Sequence, residues 1–338
     1  MKELHRPIHI GNLELKNRVV MPPIATYRST EDGKVTDEML AYYGERAKHG
    51  HIGLIVTEHS YITLQGKAKA RQMSISSDED VDGLRKLTEA IHQKGTKAFA
   101  QLNHAGSAAM SESSGMPAVA PSAVKLPVTP PLGGKELPQE LTAREIDTIV
   151  REFSDAALRA KAAGYDGVEI HSAHGYLLNQ FYSPLTNKRS DEYGGALENR
   201  LRFLLETVLA VREVVGSEYP ISVRLGGCDY MDGGSTIEDS VKASVLLQKA
   251  GVNLLSITGG MCRYTRAGHT EAGYFRDMST AIKTSVKIPV LLTGGVKTTE
   301  DAEVLLMGQA ADLIGVGRAI LQNADWPVTT LSERLTDC

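Results

Sequence analysis

The chain has 338 residues, 42% of them hydrophobic and 23% charged, with a formal net charge of −4 at pH 7. This composition is that of an ordinary globular protein, and the small acidic excess argues against nucleic acid or a membrane surface as a partner. No apolar run approaches the roughly 20 residues of a membrane-spanning helix, and the polar N-terminus does not resemble a signal peptide. Three scattered cysteines, Cys228, Cys262 and Cys338, are too few for a disulfide framework or an iron–sulfur cluster, so we expect a cytoplasmic protein.

A hairpin is predicted before the first strand of the main pattern. Ile8–Leu15 has short apolar pairs on either side of Gly11-Asn12, a sequence typical of a tight turn. We expect this β-hairpin to close the bottom of the fold described next.

Eight short apolar runs then recur along the chain, each followed by a segment with helical periodicity. None alternates between apolar and polar residues, which is typical of parallel strands covered on both faces. Strand–helix alternation without a linker predicts an α/β protein with one domain over residues 1–338, a single (β/α)₈ TIM barrel. Two doubly wound sheets are the alternative, but no second glycine-rich turn supports them. The predicted strands are Arg18–Met21, Ile52–Thr57, Lys97–Leu102, Gly167–Ile170, Ile221–Leu225, Leu254–Thr258, Ile288–Thr293 and Asp312–Val316.

The intervening helices carry start and stop signals. Asp78–Lys94 and Thr142–Ala163 are the clearest amphipathic segments, and Thr142 with Glu145 fits a capping box. Left-handed glycine C-caps are predicted where helices end before the next strand, at Gly50, Gly95, Gly164 and Gly251. One long loop, Ala105–Leu141, follows the third strand and is rich in Ser, Pro and Gly. Long loops inside compact domains are usually lids or binding loops.

Functional groups of a barrel belong at the carboxyl ends of its strands. After strands seven and eight the sequence places Gly294-Gly295 and Gly317-Arg318. Glycines allow close approach of the backbone to a ligand, and arginine adds a fixed cation. The pattern favours a phosphate site over its alternative, tight turns with a surface arginine.

A second group of polar residues follows the fourth strand. His171, His174 and Tyr176 lie where side chains project together into a barrel mouth. Metal ligation is one interpretation, but no nearby carboxylate completes a ligand set, and we predict no metal site. The alternatives are a pair of hydrogen-bond donors for a carbonyl or phenolate oxygen, with a tyrosine proton donor, or histidines that merely pack in a loop.

The remaining strand ends suggest a heterocycle. Arg224 ends the apolar fifth strand, and a buried cation needs an anionic partner, either a carboxylate or a ligand atom. Gln101 ends the third strand and offers an amide donor and acceptor. Together with the predicted phosphate site, these residues indicate a pocket for a large phosphorylated heterocycle.

The run from His171 to Phe203, HSAHGYLLNQFYSPLTNKRSDEYGGALENRLRF, resembles the signature of the old yellow enzyme family. Lys16–Met21, Gln101–Gly106, Val223–Leu225 and Gly315–Arg318 follow the family's order along nearly the whole chain. Size and tyrosine pattern are most similar to the compact bacterial "thermophilic-like" branch. Larger members with an iron–sulfur cluster and a second nucleotide-binding domain are a poorer match, because closely spaced cysteines are lacking.

The resemblance implies an FMN-dependent ene-reductase that uses NAD(P)H to reduce the C=C bond of α,β-unsaturated carbonyl compounds. His171 and His174 would bind the carbonyl oxygen of a small enone or enal, and Tyr176 would protonate the α-carbon. Tyr27 is a further candidate for substrate binding. The implied FMN contacts are Pro23, Ile24 and Ala25 along the ring, His59 and Gln101 at its edge, Arg224 near N1/O2, and Gly294, Gly295, Gly317 and Arg318 at the phosphate.

The chain departs from the family pattern at two positions. Ala25 stands where Cys or Thr is usual and offers no hydrogen to the flavin, unless Thr26 substitutes. His59 stands where a small residue is usual, and we expect it to narrow the cofactor pocket or contact the flavin.

Two functional alternatives stay open: a barrel that demethylates amines or runs oxidatively, and a flavin-binding protein with little turnover. The resemblance also suggests a homodimer or homotetramer, with Arg334 as a candidate to contact a neighbour.

Overall fold

The computed structural model describes residues 2–128, 133 and 136–326, and Arg334 lies outside this part of the chain. Eight parallel strands form a closed barrel in which each strand pairs with the next along the chain and the last pairs with the first. The predicted (β/α)₈ barrel is thus confirmed. The strands are β1 (Val19–Met21), β2 (Leu54–Val56), β3 (Lys97–Asn103), β4 (Gly167–Ser172), β5 (Ile221–Cys228), β6 (Leu254–Gly259), β7 (Val290–Thr293) and β8 (Leu313–Gly315).

Each strand is followed by one helix of the outer layer. These helices are α1 (Asp37–Ala47), α2 (Val81–His92), α3 (Ala143–Ala162), α4 (Leu197–Val215), α5 (Ile237–Lys249), α6 (Arg276–Lys283), α7 (Thr299–Met307) and α8 (Arg318–Gln322). Short additional elements are the 3₁₀ helices Glu3–His5, Leu64–Gly66, Asp78–Asp80 and Gly106–Ala108, the helices Ser111–Ser114 and Leu177–Tyr182, and the strands Ile8–Ile10, Leu13–Leu15, Ser60–Tyr61, Val119–Ala120 and Gln139–Glu140.

The N-terminal hairpin closes the barrel bottom. Ile8–Ile10 and Leu13–Leu15 pair antiparallel, and Gly11 takes the left-handed conformation between them. Ile10 and Leu15 are fully buried and pack in one cluster with side chains from six of the barrel strands. Those side chains are Val20, Leu54, Val56, Phe99, Leu254, Leu291 and Leu313. Because this end of the barrel is filled with apolar side chains, the cavity described below opens at the other end, where the strands have their carboxyl ends.

Most helix signals act as predicted. Thr142 caps α3 and exchanges capping-box hydrogen bonds with Glu145. Gly50, Gly95, Gly164 and Gly251 all have positive φ, as a left-handed C-cap requires. The segment predicted to be helical from Asp78 begins as a 3₁₀ turn instead, because Ser77 and Asp80 form their own capping box before α2 starts. No described helix is long and apolar enough to cross a lipid bilayer.

The long loop after β3 is anchored rather than free. Within Ala105–Leu141 the short strands Val119–Ala120 and Gln139–Glu140 pair with each other. Gln180, on the short helix Leu177–Tyr182, accepts a hydrogen bond from the Ser107 N–H (3.1 Å) and donates one to the Ala105 carbonyl (3.1 Å). The sequence pattern did not predict this short helix, which fastens the loop beside the barrel mouth.

Candidate active site

A cavity of about 420 Å³ opens at the carboxyl ends of the strands. Every site residue predicted from the sequence lines it: Pro23, Ile24, Ala25, Tyr27, His59, Gln101, His171, His174, Tyr176, Arg224, Gly294, Gly295, Gly317 and Arg318. Predicted residues from seven of the eight strand ends therefore meet at one place. Nine further lining residues are not among the predicted site residues: Pro22, Thr258, Arg263, Tyr264, Tyr274, Thr293, Val296, Gly315 and Leu321.

The β7 and β8 loops form a bare backbone wall at one end of the cavity. A Cβ atom on Gly295, whose φ is +72°, would lie 2.2 Å from the Glu271 carbonyl oxygen, and one on Gly315 would lie 2.1 Å from Thr293 Oγ1. In the described part of the chain, the N–H groups of Gly294, Gly295 and Gly317 donate no hydrogen bond. Free backbone N–H groups beside the exposed guanidinium of Arg318 suit a phosphate.

A polar layer lies beneath the middle of the cavity. Glu169 is fully buried on β4 and accepts hydrogen bonds from Gln101 Nε2 (2.8 Å) and from Ser222 Oγ (3.2 Å). Burial raises the pKa of Glu169, although Arg224 acts against that shift. Because Nε2 of Gln101 is committed to Glu169, its Oε1 is the atom left for the cavity, as an acceptor.

Arg224 is a buried cation whose charge is not neutralised by contact. The side chain is only 4% exposed, yet its guanidinium makes no hydrogen bond or close ion pair among the residues that the structure describes. Burial lowers the pKa of Arg224, and the nearby Glu169 opposes that shift. A buried charge without a hydrogen-bond partner costs several kcal/mol. The cavity that Arg224 lines is therefore suited to an acceptor-rich or anionic ligand.

The two histidines and the tyrosine after β4 form an aromatic cluster. The His171 and His174 rings are 5.3 Å apart and nearly perpendicular, and the Tyr176 ring is 5.0 Å from His171. His174 adopts φ +61°, a conformation that non-glycine residues rarely take, and its Nε2 lies 3.0 Å from Thr258 Oγ1. The Tyr176 hydroxyl has no hydrogen-bond partner in the described residues.

Burial fixes the protonation of this cluster. It lowers the pKa of both His171 and His174, and the positive charge of Arg224 adds to the shift. Both imidazoles are neutral at pH 7, so each offers one N–H donor. Burial raises the pKa of Tyr176 to about 12, so its phenol retains its proton. The cluster can thus donate hydrogen bonds and a proton to an oxygen or carbon placed in the cavity.

Thr26 does not replace the hydrogen donor missing at Ala25. Its hydroxyl donates to Glu58 Oε1 (2.6 Å), its N–H donates to Glu58 Oε2 (3.1 Å), and it is not among the cavity-lining residues. Glu58 is itself buried and held by Tyr43, whose hydroxyl accepts from the Glu58 N–H (2.9 Å). The suggestion that Thr26 substitutes for Ala25 is therefore wrong, because this hydroxyl fastens the β1 loop to the barrel.

His59 lies on the cavity wall facing the aromatic cluster. Its ring is 5.3 Å from that of Tyr176 and 6.3 Å from that of His171. Its Nδ1 lies 2.8 Å from Gln72 Nε2, and burial lowers its pKa to about 4. The expectation that His59 narrows this cavity agrees with its position.

The loop after β6 supplies two side chains that the motifs did not reveal. Arg263 has φ +63°, and its guanidinium lies 5.0 Å above the Tyr264 ring. Both residues follow a barrel strand, so the rule that placed the other candidates at strand ends could have found them. Within the described residues, no group of three or more His, Cys, Asp or Glu side chains could hold a metal ion.

Comparisons with known proteins give one family and one fold. A family model described as the NADH:flavin oxidoreductase / NADH oxidase family matches residues 3–337. An NADH oxidase of Thermoanaerobacter brockii is 40% identical over 324 residues, which are 94% of this chain and 49% of that protein. The chain spans about half the length of the curated relatives it matches.

Among the solved structures that match nearly the whole chain are two chains of similar length. The old yellow enzyme homologue of Zymomonas mobilis has a TM-score of 0.86 and 31% identity, covering 98% of this chain and 93% of that one. Morphinone reductase in complex with tetrahydroNAD has a TM-score of 0.84 and 31% identity, covering 98% of this chain and 90% of that one.

Proposed function

The chain belongs to the NADH:flavin oxidoreductase / NADH oxidase family, and from this premise we propose that it is an FMN-dependent ene-reductase. Its substrates are α,β-unsaturated aldehydes and ketones, and its reductant is NADH or NADPH. The observation that carries the proposal is Arg224, a buried guanidinium without a hydrogen-bond partner in the described chain, which lines a cavity at the barrel mouth. The resemblance to the old yellow enzyme family is confirmed by the family match and by the solved homologues.

The cavity fits FMN in three separate respects. The bare backbone of Gly294, Gly295 and Gly317, with Arg318, would hold the phosphate. Arg224 would face the heteroatom side of the ring, where its charge favours the anionic reduced flavin. Gln101 Oε1 is an acceptor suited to a ring N–H, and Pro23, Ile24 and Ala25 offer apolar contact.

When bound, the flavin would accept a hydride from NAD(P)H and deliver it from N5 to the β-carbon of the alkene. The neutral imidazoles of His171 and His174 would each donate a hydrogen bond to the carbonyl oxygen, where negative charge develops. Tyr176, which keeps its proton up to a pKa of about 12, would donate to the α-carbon. Tyr27, 47% exposed at the rim, would cover the substrate.

The names of similar proteins support the coarser part of the proposal. One relative is named for NADH oxidation and one structure holds a nicotinamide analogue, which supports a nicotinamide reductant here. The relatives are about twice as long, so their whole activities are not assigned to this chain. We propose further that the protein is a cytoplasmic homodimer or homotetramer. Arg334, near the C-terminal end, is a candidate to contact a neighbouring subunit.

A visible spectrum of the purified protein tests the proposal directly. We expect flavin absorption, intrinsic or after adding FMN, and a long-wavelength charge-transfer band when p-hydroxybenzaldehyde binds as its phenolate. Turnover of cyclohexenone with NADPH or NADH should follow. Flavin reduction without product would favour a flavin-binding protein, and turnover of an N-methyl amine alone would favour a demethylase.

Arg224→Met is the test variant, because it keeps an unbranched apolar stem and removes the guanidinium charge. We expect it to lose most flavin binding while the apoprotein stays folded by circular dichroism. A wild-type protein that takes up no FMN would overturn the proposal.

A further inference from the structure

A chain of hydrogen bonds from Ala68 through Gln72 to His59 determines which ring nitrogen of His59 carries the proton. Gln72 accepts the Ala68 N–H at Oε1 (2.6 Å), so its amide nitrogen must face the histidine. That nitrogen lies 2.8 Å from His59 Nδ1 and 3.2 Å from the His59 carbonyl oxygen, which can only accept. Two independent contacts thus fix the orientation of the Gln72 amide.

The orientation of Gln72 determines the tautomer of His59. Because the amide nitrogen is a donor, Nδ1 must be the acceptor, and the proton of a neutral imidazole is then on Nε2. Asn103 Nδ2, 3.4 Å from the same Nδ1, presents a second donor. Burial and the positive charge of Arg224 lower the pKa of His59 to about 4, so the ring is neutral at pH 7.

The donor points toward the cavity. Nδ1 faces the protein wall, so Nε2 lies on the far side of a ring that lines the cavity. Within the described residues Nε2 has no hydrogen-bond partner. On the neighbouring β1 loop, Ala25 ends in a methyl group and the Thr26 hydroxyl donates to Glu58, so neither side chain offers a donor to the cavity.

We infer that His59 is a cofactor-contacting residue that donates a hydrogen bond from Nε2 to the bound flavin and raises its reduction potential. The inference rests on the proposed function, since it requires flavin in the cavity. Oxygens of the ring gain negative charge on reduction, and a hydrogen bond to a charged acceptor is stronger than one to a neutral acceptor. The donor therefore stabilises the reduced flavin more than the oxidised flavin. The β2 loop thus supplies a donor that the side chain of Ala25 on the β1 loop lacks.

The first test needs no cofactor. NMR spectra of the protein labelled with ¹⁵N-histidine report which ring nitrogen carries the proton, and the signals that disappear in His59→Phe are those of His59. At pH 7 these signals should show a protonated Nε2 and an unprotonated Nδ1. Gln72→Met removes the closer of the two donors to Nδ1 and should raise the share of the tautomer protonated at Nδ1. A His59 protonated at Nδ1 in the wild-type protein would overturn the inference.

The second test is the reduction potential of bound FMN, measured by equilibration with a reference dye at pH 7. We expect His59→Phe to lower the equilibrium constant for two-electron reduction about tenfold, which corresponds to about 30 mV. His59→Gln, which retains an N–H donor, should recover most of that loss. His9→Phe, on the exposed hairpin at the opposite end of the barrel, serves as control and should leave the potential unchanged.

The outcomes separate this inference from the proposed function. Suppose that the wild type binds FMN and that the equilibrium constant for reduction in His59→Phe lies within twofold of the wild-type constant. That result would overturn the inference and leave the proposed function standing. Equal losses in His59→Phe and His59→Gln would also overturn it, since ring packing rather than the donor would then be responsible. Failure of the wild type to bind FMN would overturn the proposed function itself.

Discussion

The Tyr176 hydroxyl has no hydrogen-bond partner among the described residues, and its pKa is raised to about 12; both properties suit a residue that gives its proton to carbon. We predict that Tyr176→Phe slows flavin reoxidation by an enone at least tenfold and leaves flavin reduction by NAD(P)H unchanged. Stopped-flow measurement of the two half-reactions checks this. Because the pKa lies far above neutrality, the wild-type enone step should not decline through loss of this proton between pH 7 and 10. Equal slowing of both half-reactions would exclude the proton-donor role.

The neutral imidazoles of His171 and His174 line the cavity, and each carries one N–H. We predict that His171→Ala or His174→Ala weakens binding of p-hydroxybenzaldehyde by about 1–3 kcal/mol, the usual value of a hydrogen bond to a charged oxygen. Titration of the charge-transfer band measures the affinity. His104→Ala, which removes a buried histidine that does not line the cavity, is the control for general loosening. Unchanged affinity in both site variants would remove the assigned role.

Ala25 is the lining residue whose side chain lacks any donor where the resemblance suggests one. We predict that Ala25→Cys shifts the flavin potential, because a thiol is polar and polarisable where a methyl group is neither. The potential is read by dye equilibration, with Thr26→Val as the comparison, since Thr26 acts on Glu58 and not on the cavity. No shift in Ala25→Cys would mean that this side chain does not affect the ring.

At the level of elements, the β7 loop depends on glycine for a steric reason. Gly295 has φ +72°, and an added Cβ would collide with the Glu271 carbonyl oxygen at 2.2 Å. We predict that Gly295→Ala raises the dissociation constant for FMN at least tenfold, or about 1.4 kcal/mol, because the loop must move. Gly268→Ala is the matched control, with φ +77° and no atom within 4 Å of the new Cβ. Equal effects of the two changes would show that backbone strain, not the clash, is responsible.

The strands and helices could be predicted from the sequence because their signals involve residues that are close together along the chain. The capping box at Thr142 and the glycines at Gly50 and Gly164 act through residues a few positions apart, so sequence suffices to find them. The role of Thr26 is not local, since its hydroxyl is engaged by Glu58, 32 residues away. The same holds for the tautomer of His59, which depends on Gln72 and on the N–H that orients it.

The list of cavity residues could be predicted because a closed barrel brings every strand end to one mouth. The hydrogen-bonding role of each side chain at that mouth could not be predicted. Gln101 could donate or accept by composition alone, and the buried Glu169 decides that its free atom is an acceptor. Arg263 was missed because its loop after β6 carries no recognisable motif. The assignment of residues 1–338 to one domain stays a prediction.

For the molecule as a whole, buried neutral histidines make stability depend on pH. Burial lowers the pKa of His59 to about 4 and of His104 to about 3, whereas an unfolded histidine titrates near 6.5. The unfolded chain therefore binds more protons below pH 6.5, and the free energy of unfolding falls as the pH drops from 6.5 toward 4. Each of these histidines contributes a loss of about 1.6 kcal/mol between pH 6.5 and 5.

Urea unfolding of the apoprotein at pH 7.5 and pH 5 measures this dependence. His59→Phe should reduce the loss of stability between the two pH values by about 2 kcal/mol, since the variant lacks one of the groups that must take up a proton. Glu169 acts in the opposite direction, because burial raises its pKa and favours the folded state at low pH. A loss that is the same in the variant and the wild type would contradict the assignment.

The hairpin at the barrel bottom has a consequence for the order of events in turnover. Ile10 and Leu15 fill the lower end with apolar side chains, so in the described chain the cavity is reached from the opposite end. Reductant and alkene would then have to occupy the same place above the flavin at different times. Steady-state kinetics should accordingly show parallel double-reciprocal lines, and each substrate at high concentration should inhibit competitively against the other. An intersecting pattern would mean that the two molecules bind together.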